Sequence, residues 1–160
     1  MFLANCSKPD DFSSNYLRGN IDGVDFECTN IKSYKPMPIP GSGDDPTLII
    51  TGNWPGYALK LNIYGEGGGA GVSIREGEFV FQADKNRSAT IWYNNVDVYY
   101  AGNGGGFGVS NYLEGSGKIT IHQINKNYIK GSFEFTTGVN GATGFSKTVT
   151  NGDFYVKRSR

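Results

Sequence analysis

Short runs in which apolar and polar residues alternate occupy most of this chain. Val24, Phe26 and Cys28 alternate with Asp25 and Glu27, and Tyr57, Leu59, Leu61 and Ile63 alternate with Lys60 and Asn62. Further on, Ile129, Gly131, Phe133 and Phe135 alternate with Lys130, Ser132 and Glu134. A period of two places successive side chains on opposite faces of an extended strand, so each run predicts a strand with one buried and one wet face. Helical spacing at i, i+3, i+4 and i+7 is not sustained over any window of about 11 residues, because glycine or β-branched runs interrupt it.

The punctuation between runs predicts reversals. Asp22-Gly23 separates Tyr16–Ile21 from Val24–Cys28, and glycine supplies the positive φ that a two-residue primed turn demands. Glu76-Gly77 is expected to reverse Val72–Ile74 into Glu78–Gln82. Asn94-Asn95 should join Ala89–Tyr93 to Val96–Ala101, and Asn125-Lys126-Asn127 should join Lys118–Ile124 to Tyr128–Thr136. Asn151-Gly152 reads as the turn between Phe145–Thr150 and Asp153–Lys157. With Thr47–Thr51 and Tyr57–Tyr64 the chain reads as all-β: a single antiparallel β-sandwich or flattened barrel of about ten strands. The pattern does not choose between those two. The expected inward set is Val24, Phe26, Ile49, Leu59, Leu61, Phe79, Phe81, Ile91, Ile119, Ile121, Ile129, Phe133, Phe135, Phe154 and Val156.

Residues 1–15 read as a polar tether and 16–160 as one β domain, a length that suits a single hydrophobic core. Residues 35–46 hold four prolines and residues 101–117 seven glycines, so both read as long loops. Glycine is abundant, at 24 residues, but aromatics also make up 14% of the chain. Together they describe strands joined by glycine turns rather than low complexity.

Charge and chemistry narrow the function. Fifteen basic residues balance 15 acidic ones, which argues against a general nucleic-acid binder. No apolar run approaches the ~20 residues needed to span a bilayer. His122 is the single histidine, so a multi-histidine metal centre is excluded, and its phase against Ile119 and Ile121 places it on the wet face. The Gly65–Gly71 stretch is followed by no helix, and Gly115-Ser116-Gly117-Lys118 leads into a strand; neither fits a nucleotide loop. Gly43-Asp44-Asp45 offers too few oxygens for calcium, and the Gly-x-Ser-x-Gly elbow is missing. No catalytic residue, cofactor or metal is therefore expected. Glu66, Glu76, Glu78, Glu114 and Glu134 remain as material for a two-carboxylate hydrolase, with no two set apart.

Several short blocks stand in a telling order. Asn20–Phe26 opens with an Ile-Asp-Gly-Val hairpin. Gly77-Glu78-Phe79-Val80-Phe81, Ala89-Thr90-Ile91-Trp92-Tyr93 and Gly117-Lys118-Ile119-Thr120-Ile121 follow, then Ile129-Lys130-Gly131-Ser132-Phe133-Glu134-Phe135 and Val149-Thr150-Asn151-Gly152-Asp153-Phe154. Over roughly residues 16–157 the series resembles an uncharacterised β-rich domain family of small Bacteroidota envelope lipoproteins, a domain of unknown function. The resemblance implies an all-β fold and an envelope location, and supplies no functional residues.

Cys6 fits that location. Leu3-Ala4-Asn5-Cys6 resembles the end of a lipoprotein signal peptide, and Ser7-Lys8-Pro9-Asp10-Asp11 resembles a lysine-then-acidic tag for export to the outer surface. The expectation is a chain anchored by lipid on Cys6 at the bacterial outer membrane, surface-exposed, touching the membrane through that anchor only. An ordinary polar tail, or a disulfide to Cys28, is the alternative.

One constellation suggests a ligand. Asn53-Trp54-Pro55-Gly56-Tyr57, Trp92-Tyr93-Asn94-Asn95 and Tyr99-Tyr100 set flat rings beside amides, and sugars bind where rings cover C–H groups and amides bond hydroxyls. The candidate ligand-binding residues are Trp54, Tyr57, Trp92, Tyr93, Asn94 and Tyr99, with Phe107 and Tyr112 in the Gly102–Gly117 loop. The leading expectation is a non-catalytic surface binding module for glycan or another envelope or host component. The runner-up is an accessory lipoprotein docking on a protein partner, and a carboxylate hydrolase comes last.

Overall fold

In the computed structural model, which describes residues 14–28, 31–34, 47–64, 74–81, 87–94, 96–103 and 113–157, the alternating runs become strands. These are β1 (Tyr16–Ile21), β2 (Val24–Cys28), β3 (Ile31–Tyr34), β4 (Thr47–Trp54), β5 (Tyr57–Tyr64) and β6 (Gly77–Val80). They continue as β7 (Arg87–Tyr93), β8 (Asp97–Asn103), β9 (Leu113–Glu114), β10 (Ser116–Ile124), β11 (Tyr128–Thr136) and β12 (Thr148–Lys157). No helix occurs among the described residues. One sheet has the order β2-β1-β12-β11-β10-β6 and the other β3-β4-β5-β7-β8-β9. Neighbouring strands pair antiparallel in both, and the sheets pack face to face without closing, so the fold is a β-sandwich and not a barrel.

The core lies between the sheets. Leu17, Phe26, Ile119, Ile121, Phe133, Phe135, Phe154 and Val156 face Ile50, Leu59, Leu61, Ile63 and Ile91. Two members of the expected inward set behave otherwise. Val24 is in phase with Phe26 but 71% exposed, because it directly follows the β1–β2 turn at the very end of its strand. Ile49 is buried, yet it lies outside the core cluster: its neighbours Leu48 and Ile50 point inward, so it belongs to the outer face.

The hairpin turns follow the local chemistry. Asp22 and Gly23 have φ of 50° and 90°, the pair of positive values of a type I′ turn, and Asn20 Oδ1 accepts from the Gly23 N–H at 2.7 Å. Asn125 Oδ1 accepts from the N–H groups of Asn127 and Tyr128 and builds the β10–β11 turn. Asn151-Gly152 departs from expectation. It is not a reversal but a bulge inside the continuous β12, with Asn151 at φ 52°. Phe133 pairs with Gly152 while Phe135 pairs with Val149, so β12 carries one residue more than its partner. Asn tolerates the left-handed conformation in a bulge as readily as in a turn, so the dipeptide fits both. A Cβ on residue 152 would lie 2.4 Å from the Phe133 carbonyl oxygen, so glycine is required there by close approach. The expected strand Phe145–Thr150 correspondingly begins only at Thr148. A second bulge falls at His122 in β10, between the pairs Ile121↔Gly131 and Gln123↔Lys130. The expected reversal at Glu76-Gly77 involves residues outside the described ones, and Ile74 lies in no strand.

Candidate functional site

The aromatic residues separate into two groups that differ in what covers their faces. The first runs along the inner edge of the sandwich. Trp54 and Tyr57 are the cross-strand pair that closes the β4–β5 hairpin around Pro55-Gly56, and Tyr57 pairs in turn with Tyr93 of β7. Their rings form a row. Phe26 stacks on Trp54 at 4.6 Å and 13°, Trp54 on Tyr57 at 5.2 Å and 9°, and Tyr57 meets Tyr93 at 4.8 Å and 40°. Trp54 thus has a ring on each side, and Trp54, Tyr57 and Tyr93 all pack against the core. A ring enclosed in this way has no face to lay against a sugar.

Tyr99 belongs with this interior group. It is buried, and its hydroxyl meets Thr143 Oγ1 at 3.4 Å. Thr143 lies in the 137–147 connection, which the sequence reading did not single out. Asn140 organises that connection. Its Oδ1 accepts from the N–H groups of Ala142 and Thr143, its Nδ2 donates to the Val98 carbonyl, and its backbone N–H donates to the Phe145 carbonyl. The Gly138 N–H donates to the Tyr100 carbonyl, so the connection runs along the free edge of β8. Lys147 closes it. Its amine bonds Asp22 Oδ2 at 2.9 Å and stands 5.6 Å from the Tyr99 ring centre. The Asp22 bond, with lesser help from the charges of Asp22, Tyr57 and Tyr99, raises the Lys147 pKa above its ordinary value against the opposing effect of burial. Asp22 also accepts from the Thr148 N–H and donates its own N–H to the Thr148 carbonyl. The Asn94 N–H donates to the Gly56 carbonyl. Hydrogen bonds therefore tie the connections at one end of the sandwich in two pairs, 22–23 with Lys147 and Thr148, and 55–56 with Asn94, while 137–147 is bonded to β8. Val24, Val96, Val139 and Phe145 are exposed there.

The second group lies on the outer face of the β3–β9 sheet. Two residue rows cross four strands there. Asn53, Ala58, Trp92 and Val98 form one, and Thr51, Lys60, Thr90 and Tyr100 the next. Trp92 and Tyr100 are diagonal neighbours on one face, spaced about 7–8 Å by sheet geometry. Trp92 is half-buried and Tyr100 is 44% exposed, and among the described residues neither ring has an aromatic or cationic partner. Ala58 beside Trp92 leaves its flank low, with the Asn53 amide exposed one strand further and Lys60 in the adjoining row. In the third row Ile49 and Asn62 are buried, which bounds the open area on one side.

The candidates thus do not form a single platform. Tyr57, Tyr93 and Trp54 come together, partly buried against the core, with the exposed Asn94 next in sequence to Tyr93. Tyr99 is interior as well, and Trp92 stands on the opposite face. Asn95, Phe107, Tyr112 and Cys6 lie outside the described residues. Tyr100 was the residue under-weighted, and its signal was available: Ala101 and Tyr99 are in phase with the core, so Tyr100 faces out, as Trp92 must when Ala89 and Ile91 face in.

Of the five candidate glutamates, Glu66 lies outside the described residues, as does the side chain of Glu114; the other three and the histidine have partners of their own. Glu78 and Glu134 flank Lys118 on the outer face of the other sheet, at 2.9 and 3.5 Å, an ion-pair ladder and not a cleft. Glu76 Oε1 accepts from the Ile124 N–H. His122 is exposed, with its Nε2 2.9 Å from Ser132 Oγ. Cys28 is a buried free thiol whose pKa burial pushes up to about 12, with the Glu27 charge adding to the effect. Among the described residues no three His, Cys, Asp or Glu side chains gather as a metal site would require.

Comparison with curated proteins and with solved structures yields no match. Against protein families the outcome differs: residues 14–156, nearly the whole sandwich, match one family, and the chain belongs to it, the domain of unknown function DUF6252.

Proposed function

We propose that this protein is a non-catalytic binding module for carbohydrate, held at the bacterial cell surface by a lipid on Cys6, with Trp92 and Tyr100 as its contact rings. The observation that carries the reading is the contrast in ring faces. Among the described residues Trp92 and Tyr100 meet no other ring on the outer face of their sheet, whereas Phe26, Trp54, Tyr57 and Tyr93 contact one another in a row. Open rings flanked by an amide and an amine suit a ligand that offers C–H faces and hydroxyls together. A glycan array with the purified domain tests it. Signal that disappears in Trp92→Ala and Tyr100→Ala but persists in Val139→Ser supports the reading; an array with no signal rejects it. Labelling of cells with a palmitate analogue tests the anchor, since equal labelling of Cys6→Ala would remove it.

A protein-docking reading has its own support. Val24, Val96, Val139 and Phe145 are each at least 69% exposed and are carried by hydrogen-bonded connections at one end of the sandwich. Apolar side chains gathered on a structured end suit a protein contact. Loss of a co-purifying partner in Val139→Ser/Phe145→Ser, with the array signal unchanged, would favour this second surface.

A further inference from the structure

Sheet edges expose unpaired backbone groups, and this sandwich treats its edges unequally. At β6 the Val80 carbonyl is taken by Arg87 Nη1 at 3.1 Å. Along β8 the carbonyls of Val98 and Tyr100 accept from Asn140 Nδ2 and the Gly138 N–H, and β9 continues the cover at Gly102 and Asn103. Among the described residues the β2 edge has no such cover: β2 pairs with β1 alone, and Val24, Asp25 and Glu27 are exposed.

The register fixes what that edge offers. In a two-residue hairpin the residues flanking the turn, Ile21 and Val24, exchange hydrogen bonds, as do Gly19 with Phe26 and Leu17 with Cys28. Asp25 and Glu27 occupy the alternate positions, so their backbone N–H and C=O groups point away from β1. Their side chains lie on the outer face beside an open hollow of about 430 Å³ lined by Arg18, Gly19, Asp25, Phe26, Glu27, Asn151 and Asp153. The one cation of the hollow is already engaged, because Arg18 grips both oxygens of Asp153 at 2.8 and 3.0 Å. Among the described residues Asp25 accepts from the Asn20 amide alone, and Glu27 has no hydrogen-bond partner, its charge acting on Arg18 at longer range.

We infer that the β2 edge accepts an extended segment of a partner protein as a seventh strand, with basic residues at alternate positions. Antiparallel addition would pair two partner residues, two apart in sequence, with Asp25 and Glu27. Directly opposed residues share a face, so their side chains would meet the two carboxylates. The residue between them would fall on the Phe26 side, where an apolar side chain fits. Backbone bonds would supply affinity, and the two acids would select a basic–apolar–basic pattern.

The test uses the full chain with three labelled pentapeptides: Lys-Val-Lys-Val-Lys, Glu-Val-Glu-Val-Glu and Lys-Lys-Lys-Val-Val. Fluorescence anisotropy reads binding, and amide hydrogen exchange reads Asp25 and Glu27. The expected result is that the first peptide alone binds and slows exchange at both amides, while Asp25→Lys/Glu27→Lys reverses the preference toward the acidic peptide. Both substitutions sit at exposed positions, and the exchange of core amides reports that the fold is kept. No binding overturns the proposal, as does binding that leaves the two amides unprotected. Equal binding of the block peptide also overturns it, by reducing the effect to charge attraction.

Discussion

Trp54 and Trp92 are the two tryptophans of this chain, on strands of one sheet separated only by β5, and they do different things. Trp54 points into the sandwich and is enclosed between Phe26 and Tyr57. Trp92 points outward with Ala58 and Val98 at its sides. The chemistry of the side chain is identical; strand parity decides whether it serves the core or the solvent. Aromatic content alone therefore cannot locate a sugar-binding surface in an all-β chain. The phase of each ring against its apolar neighbours can.

The largest expected effect separates the two tryptophans directly. Trp54→Ala should cost about 3 kcal/mol, at the low end for an aromatic truncation because the ring is only partly buried. Trp92→Ala should cost less, about 1 kcal/mol, because its half-buried ring lies on the outer face and outside the core cluster. Urea denaturation of both variants checks this, and equal costs would break the comparison.

Next comes the support beneath the outer pair. Asn140→Ala removes the two bonds that shape the 137–147 connection and the one that ties it to Val98, and should cost about 2 kcal/mol. Hydrogen exchange should then quicken at Gly138, whose N–H covers the β8 edge. Trp54 and its row should stay protected, which would show that the two regions open independently.

A smaller effect concerns Lys147. Its folded-state pKa is raised above 10.5, so the Asp22 pair stabilises the protein fully below that value and fades as pH rises through the folded pKa. Lys147→Ala should lower stability by about 1 kcal/mol at pH 7. The gap to the parent protein should close in strongly alkaline solution, as urea midpoints at both pH values would record. The smallest effect is at Cys28. In a Cys6→Ser background, a thiol titrating at about 12 should stay unmodified by a disulfide reagent at neutral pH until the sandwich unfolds.

Much of the fold was legible because period-two alternation is a direct imprint of burial. Leu59, Leu61, Phe133 and Phe135 face inward as their spacing requires, and Asp22-Gly23 makes the turn its chemistry demands. What escaped depends on long-range packing. Ile49 is buried on an outer face, which alternation within β4 does not reveal. Phe145 looked like the start of a strand, but its carbonyl accepts from the Asn140 N–H and its own N–H donates to Thr143 Oγ1, which hold it in a loop. The candidate rings were legible as a composition and not as a surface. Their sorting follows from adjacent pairs, Trp92 with Tyr93 and Tyr99 with Tyr100, in which one member must face each way.

The bulge at Asn151 can also be regarded as a change of reading frame. Ahead of it the odd-numbered Val149 faces the core; beyond it the even-numbered Gly152, Phe154 and Val156 do. At His122 the same switch occurs, from Ile119 and Ile121 to Ile124, which packs against the core. A strand written in two frames can zip correctly against its neighbours only with the bulge at its own place, because a regular pairing satisfies one half and inverts the other. Both β12 and β10, interior strands of one sheet, thus carry their own punctuation. Deleting Asn151 would not shorten a turn; it would merge the two frames into one, setting Val149, Gly152, Phe154 and Val156 in a single regular alternation and erasing the mark that fixes the offset.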